Sequence, residues 1–261
     1  MIPVSVVIIT YNEVRNIARC IERAQLISDD IIIVDSGSTD GTLKIANHLC
    51  STVLEMAWNG YGFNKNKGID AAKYDWIFSL DADELPDYEL ISFLHTIDYN
   101  DIQSVYDFNF KVYFKNKLIR YGSWGRNHQI RLFNRVCGRW SNVPVHETLL
   151  FSGSIKVKRS AGNVHHYSVD AIHEYYLKTE KYARLSALKY FDARKQPTFT
   201  KLYISPAFNF VWNYVFKFGF LDGREGWIIA RTSAWYTWRK YAYLTEMSDS
   251  ETTAILAEKR I

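Results

Sequence analysis

Val4–Ile9 is a nearly unbroken run of β-branched apolar residues, the pattern of a strand buried on both faces of a parallel sheet. Behind it Val14, Ile17, Ala18, Ile21 and Ala24 recur at helical spacing, with Asn12 as the expected N-cap. The pattern repeats: a strand over Ile31–Val34, helices over Thr42–Leu49 and Asn64–Ala72, and a strand over Trp76–Leu80. Strands alternating with helices predict right-handed βαβ units and an open α/β sheet. Sheets of this kind bind ligands beyond the carboxyl ends of their strands. Three polar clusters fall at those ends: "TYNE" (10–13), "DSGSTD" (35–40) and "DADE" (81–84).

Past about residue 100 the pattern changes. "VYDFNFKVYF" (105–114) alternates like an antiparallel strand, and "VPVHETLLF" and "SIKVKR" read as further short strands. From about 169 the spacing is helical, with turn signals at Pro197, Pro206 and 219–223. The expected plan is a nucleotide-binding half over 1–100, a mixed β region carrying acceptor contacts over 101–168, and a helical C-terminal part over 169–261.

Composition narrows the function classes. A chain of 261 residues, 48% hydrophobic and 23% charged, is globular and long enough for one sizeable core. Charge is uneven: residues 1–130 hold 12 Lys+Arg against 17 Asp+Glu, net −5, and residues 131–261 hold 20 against 11, net +9. The second half is also aromatic. Nucleic acid, anionic lipid, a phosphorylated substrate or a plain solvated surface would each suit it. The aromatics are not interleaved with basic residues as in an RNA or DNA module, so no nucleic-acid partner is expected. Cys20, Cys50 and Cys137 form no CxxC pair, which argues against zinc and for a reduced, cytoplasmic protein. The N-terminal apolar run is too short for a signal peptide or a membrane span. "AFNFVWNYVFKFGFL" (207–221) is interrupted by Asn209, Asn213 and Lys217. It reads equally as an interfacial helix on an anionic membrane or as a helix packed on the protein.

"FSLDADELPD" puts Asp81, Asp83, Glu84 and Asp87 into seven positions after an apolar strand. Strand alternation would aim Asp81 and Asp83 in one direction. Two hard oxygen ligands there suit Mg²⁺ or Mn²⁺ shared with substrate phosphates, the alternative being a solvated loop that caps a helix. Glu84 would point elsewhere, and Asp87 reads as helix N-terminal charge. Tyr11 is placed to stack on a base and Asp35 to accept a hydrogen bond from one, while Gly37, Ser38 and Asp40 read as turn and cap residues. Together the three strand ends describe a metal-assisted nucleotide-diphosphate site.

"VSVVIITYNE", "IIIVDSGSTDGT" and "DWIFSLDADE" resemble glycosyltransferase family 2, the inverting enzymes of GT-A fold, over roughly the first 100 residues. "RYGSWGRNHQIRLFN", "VPVHE", "HHYS" and "FLDGREGWIIA" resemble the bacterial lipopolysaccharide inner-core β-1,4-glucosyltransferases of that family. The resemblance implies a Rossmann-like, mostly parallel sheet flanked by helices. It also implies transfer of glucose or a similar hexose from a UDP-sugar to a lipid-anchored inner-core acceptor, at the inner face of the inner membrane. It gives Thr10, Tyr11, Glu13, Asp35, Lys65 and Asp81 to the nucleotide-sugar, with Tyr11 and Asp35 on the uracil. Asp83 becomes the direct metal ligand, Asp81 lies near ribose and metal-bound water, and His166 is a further ligand or else a core histidine. Gln129 and Arg131 go to the acceptor. Many members carry their base in an "ED" followed by Q-x-x-R-W, which this chain lacks, so Glu147 in "VHE" is the candidate base. Relatives commonly place an acidic residue where this chain has Asn127-His128, which leaves the acceptor hydroxyl open. A transferase acting on a polyprenyl phosphate and a non-catalytic nucleotide-sugar sensor are the alternatives.

Overall fold

A computed structural model describes residues 2–50, 52–142 and 147–258, with side chains up to 249. The chain divides into two compact units, 1–112 with 127–168, and 113–126 with 169–261.

The first unit is built on one twisted sheet. β1 (Val4–Thr10) pairs in parallel with β2 (Asp30–Asp35) and β4 (Trp76–Asp81), and β2 with β3 (Thr52–Glu55). All seven residues of β1 are buried, as its continuous apolar run requires of a central strand. β5 (Glu84–Pro86), β6 (Ser104–Phe114), β8 (Asn127–Asn134) and β11 (Lys156–Val169) extend the same sheet, in the order β3-β2-β1-β4-β8-β6-β11-β5. β8 runs antiparallel to both β4 and β6. The segment expected to form a mixed β region therefore continues the nucleotide-side sheet directly. β9 (Gly138–Trp140) and β10 (Leu149–Phe151) make a separate antiparallel pair.

Helices α1 (Ile17–Gln25), α2 (Thr42–Leu49), α3 (Tyr61–Asp70) and α4 (Tyr88–Leu94) cover the sheet. Asp87 caps α4, its carboxylate accepting from the Leu90 N–H at 2.8 Å. Asn12 is not the cap of α1: it turns left-handed at φ 56° and the helix starts at Ile17. α3 spans Tyr61–Asp70 rather than Asn64–Ala72. It lies so close to the sheet that a Cβ on Gly68 would meet Val7 Cγ1 at 2.4 Å, so only glycine fits there. Val7, Ile9, Ile32, Val34, Ile69, Ile77 and Phe133 form the core between them.

In the second unit, β7 (Lys117–Leu118) pairs with the end of β6, from Tyr113. α5 (Ile172–Asp192), α6 (Ser205–Val211) and α7 (Gly223–Glu258) follow, with π-helical turns at Thr200–Ile204 and Trp212–Phe216. Ile119, Val169 and Ile229 pack with Phe114 in one core, and Ala187, Tyr241 and Leu244 in another. The "FLDGREG" turn is structural: the buried Asp222 carboxylate accepts the backbone N–H of Arg120 and of Tyr121, the latter at 2.8 Å. No helix among the described residues is long and apolar enough to cross a membrane.

Candidate active site

The carboxyl ends of β1, β2 and β4 meet at one edge of the first unit, because parallel pairing brings Thr10 beside Asp35 and Ile9 beside Asp81. Two loops there are bound to each other. Asn12 donates its N–H to Ser38 Oγ at 2.8 Å and accepts from the Thr39 N–H at 2.8 Å. Asp40 accepts from Thr42 and from the Val14 N–H, the cap chemistry expected of it. Asp35 is 1% exposed. Its carboxylate accepts from the N–H groups of Gly37 and Ser38 at 2.9 and 2.8 Å and from Ser38 Oγ at 2.6 Å. A carboxylate offers about four acceptor positions, so Asp35 organises its loop and retains room for a further donor. Tyr11 is 54% exposed at the mouth. Glu13 accepts from Asn16 Nδ2 at 2.8 Å. Thr10 is buried, and its hydroxyl has no hydrogen-bond partner among the described residues.

Beyond β4 the strand alternation breaks. Ala82 and Asp83 form a turn, so Asp81 and Asp83 do not share a direction as expected. Asp81, with its side chain 33% exposed, meets two cations: Lys65 Nζ at 3.2 Å and Arg131 Nη2 at 3.7 Å. Burial alone would raise its pKa, but Lys65, Arg131 and His166 outweigh it and hold the carboxyl well below the usual range. Asp83 instead meets His166, Oδ2 to Nε2 at 3.2 Å, because β11 runs antiparallel to β5 with His166 opposite Glu84. Glu84 faces inward and is fully buried. Its Oε1 lies 2.5 Å from Arg131 Nη2, and its Oε2 accepts the Asp81 N–H at 3.0 Å. Burial pushes Glu84 up, Arg131 opposes this, and Asp81 adds to it.

Lys65 lies on the buried face of α3, 1% exposed. Its Nζ reaches Glu147 Oε1 at 2.8 Å as well as Asp81, and rests 4.5 Å from the centre of the Trp140 ring. Two carboxylates thus share one buried cation, and their oxygens offset part of the cost of burying its charge. A Cβ on Gly62 would come 1.9 Å from the Ser141 carbonyl oxygen and 3.4 Å from Glu147 Cβ, so the small residue lets the Glu147 segment lie against α3. His146 lies outside the described residues.

Arg131, expected at the acceptor, is 3% exposed and stands between Glu84, Asp81 and the rings of Phe110 and Trp140. This is the placement of a counter-ion beneath the site. Gln129, two residues earlier on β8, is half-buried beside Asn127. Neither Trp140 nor Phe110 stands out in the sequence, and Glu84 is set aside there as pointing away from Asp81 and Asp83. "GRWSN" and "ADE" held the signal, an aromatic and an acid in short strands flanked by polar residues.

Among the described residues no three His, Cys, Asp or Glu side chains form a ready metal-binding group. The Asp83–His166 pair fits a smaller role. Two ligands at about 2.1 Å from one octahedral ion and at right angles to each other stand roughly 3 Å apart, close to the 3.2 Å seen. Asp83 and His166 are the residues that would hold such an ion.

The family model for glycosyl transferase family 2 matches residues 5–156, more than half of the chain. The lipopolysaccharide core biosynthesis glycosyltransferase LpsC of Rhizobium meliloti (strain 1021) is 29% identical over 100% of this chain and 96% of its own. An uncharacterized glycosyltransferase of Rickettsia bellii (strain RML369-C) is 26% identical over 94% and 87%. Glucosyl-3-phosphoglycerate synthase from Mycobacterium tuberculosis, crystallised with Mn²⁺, uridine diphosphate and glucosyl-3-phosphoglycerate, overlaps with a TM-score of 0.34 at 21% identity. That overlap covers 43% of this chain and 44% of the other, too little to bear on the site. By its matched sequence and its strand-end architecture, this chain belongs to glycosyltransferase family 2 and has the GT-A fold.

Proposed function

We propose that the chain transfers a hexose, glucose first among candidates, from a UDP-sugar to the inner core of a lipid-anchored lipopolysaccharide or lipooligosaccharide, with inversion at the anomeric carbon. The observation that carries this reading is the placement of Asp35 and Asp81 at the carboxyl ends of the two parallel strands that flank β1, with Lys65 bridging Asp81 to Glu147 and the Asp83–His166 pair two residues beyond Asp81. The full-length similarity to LpsC supports the choice of acceptor.

In this reading Tyr11 covers the uracil, Asp35 uses its remaining acceptor position on a base N–H, and Thr10 and Glu13 shape the wall behind them. A divalent cation, Mg²⁺ or Mn²⁺, held by Asp83 and His166 would neutralise charge on the departing diphosphate. Asp81 orients the ribose side of the donor while Lys65 and Arg131 keep it ionised. Glu147 takes the proton of the acceptor hydroxyl. The hydroxyl oxygen then forms its bond to the anomeric carbon on the face opposite the diphosphate, whose bond to that carbon breaks. General-base help of this kind is worth about 10²–10⁴-fold. Lys65 fixes the Glu147 carboxylate in position, and Gln129 contacts the acceptor from β8.

The test is incubation with a panel of UDP-sugars and a truncated lipid acceptor, followed by mass spectrometry. The acceptor should gain one hexose with release of UDP. Failure of every UDP-sugar to yield that product in the presence of Mg²⁺ or Mn²⁺ would overturn the reading.

A further inference from the structure

The segment 199–221 of the second unit is amphipathic in the wrong sense for a helix on a soluble protein. Asn213 is buried, and with Asn209 it faces α7: Asn209 Oδ1 accepts from Ser233 Oγ at 2.9 Å, and Asn213 Nδ2 donates to Asn209 Oδ1 at 2.9 Å. One turn apart along the adjoining solvent side, Phe208, Trp212 and Phe216 are 62%, 44% and 61% exposed. Their rings follow one another at 5.8 and 5.6 Å, stacked and then tilted. Phe199 and Phe218 extend this exposed row at either end. A surface helix ordinarily turns its apolar stripe inward and its amides to water. Monomeric proteins rarely leave a continuous patch of this kind uncovered.

Charge indicates what covers it. Residues 193–221 contain Arg194, Lys195, Lys201 and Lys217 and no acidic residue, and all four cations are exposed. Exposed aromatic rings flanked by cations suit the headgroup level of an anionic bilayer, where rings sit at the acyl boundary and cations meet lipid phosphate. A copy of the same chain would bring the same four cations against themselves, so self-association is disfavoured.

We infer that the outward face of residues 199–221 inserts in the plane of an anionic membrane surface and holds the enzyme there. The inference rests on the transferase reading only for the lipid anchor of the acceptor. Its test therefore uses vesicles that contain no acceptor, and transfer to a water-soluble acceptor fragment is measured separately, so that the two readings fail independently.

The full chain is mixed with vesicles of phosphatidylethanolamine and phosphatidylglycerol, and in parallel with phosphatidylcholine alone, and bound protein is separated by flotation. Binding to the anionic vesicles is expected at low salt, falling as salt rises. Phe208→Ser, Trp212→Ser and Phe216→Ser combined should reduce the partition coefficient by roughly tenfold per ring. Because these rings are exposed, the melting temperature should stay within a few degrees, which separates lost binding from lost fold. Lys201→Gln with Lys217→Gln, which leaves the rings intact, should cost about fivefold per cation on anionic vesicles and change little on phosphatidylcholine. Equal partition of the folded triple variant and the parent overturns the inference, as does failure of the parent to float with anionic vesicles at low salt. A concentration-dependent dimer in sedimentation that the triple variant abolishes, without vesicle binding, assigns the face to a second copy and overturns it equally.

Discussion

Arg131→Met separates a counter-ion beneath the site from an acceptor-binding arginine. The guanidinium stands 2.5 Å from Glu84 and 3.7 Å from Asp81, and the Glu84 side chain is fully buried. Methionine fills much of the same space but leaves Glu84 without its cation. Breaking a buried pair by removing one partner costs about 3–5 kcal/mol. For a chain of this size each kcal/mol moves the melting temperature by roughly 2–4 °C, so a fall of about 6–20 °C is expected. Adding Glu84→Gln should recover most of it, because both charges are then gone and the amide oxygen still accepts the Asp81 N–H.

The pH dependence carries a sign. Burial raises the Glu84 pKa, Arg131 opposes this, and Asp81 adds to it. Losing Arg131 therefore lifts the folded pKa further. A carboxyl whose folded pKa is raised contributes stability that is fully present below its unfolded pKa, about 4.3, and lost as pH rises through the folded value. The gap between variant and parent should thus be smallest in acid and widen toward neutral pH. Asp81 acts with the opposite sign, since its pKa is lowered and its stabilisation is lost as pH falls. Lys65 stays in place beside it, so the Glu84 effect dominates. Thermal unfolding by circular dichroism across this range reads both. A variant that melts within about 2 °C of the parent at every pH, yet has lost its affinity for acceptor, would refute the buried counter-ion and return Arg131 to the acceptor.

Glu147→Gln should leave UDP binding unchanged by calorimetry and lower transfer about 10²–10⁴-fold; a near-parental rate would move the base elsewhere. Asp83→Asn should abolish metal-dependent UDP binding, read by calorimetry with and without Mn²⁺, with little change in melting temperature, and normal affinity would remove Asp83 from the metal. Asp35→Ala removes a carboxylate that accepts three hydrogen bonds. At about 0.5–1.5 kcal/mol for a neutral bond and 1.5–3 for one to a charged group, both UDP affinity, by tenfold or more, and melting temperature should fall, and unchanged UDP affinity would exclude it from the nucleotide site.

The parallel core was legible because β1, β2 and β4 are buried on both faces, so their apolar runs are continuous and the polar residues that end them mark the binding edge. β3 was not: three half-buried residues and an exposed Glu55 at an edge carry no run to detect. Asn12 failed as a cap because a polar residue after a strand serves equally well in a left-handed turn. The supports of the site were hidden for a different reason. α3 turns Asn64 and Lys65 inward beside two glycines, so its buried face has no hydrophobic period, and Lys65 stood out only through the family resemblance. Arg131 finds Glu84 across 47 residues and Lys65 finds Glu147 across 82. Each of these side chains, taken alone, reads as a surface charge, and only the pairing makes burial affordable. Hydrophobic pattern therefore locates the edge where the donor would bind, whereas the charges that tune that edge depend on a sheet order that sets β8 beside β4 and on Trp140, at the end of the separate strand β9, lying against Arg131. The same logic exposes 199–221: in sequence the stretch 207–221 reads equally as an interfacial or a packed helix, and its aromatic face is known to be outward only once Asn209 and Asn213 are found facing α7.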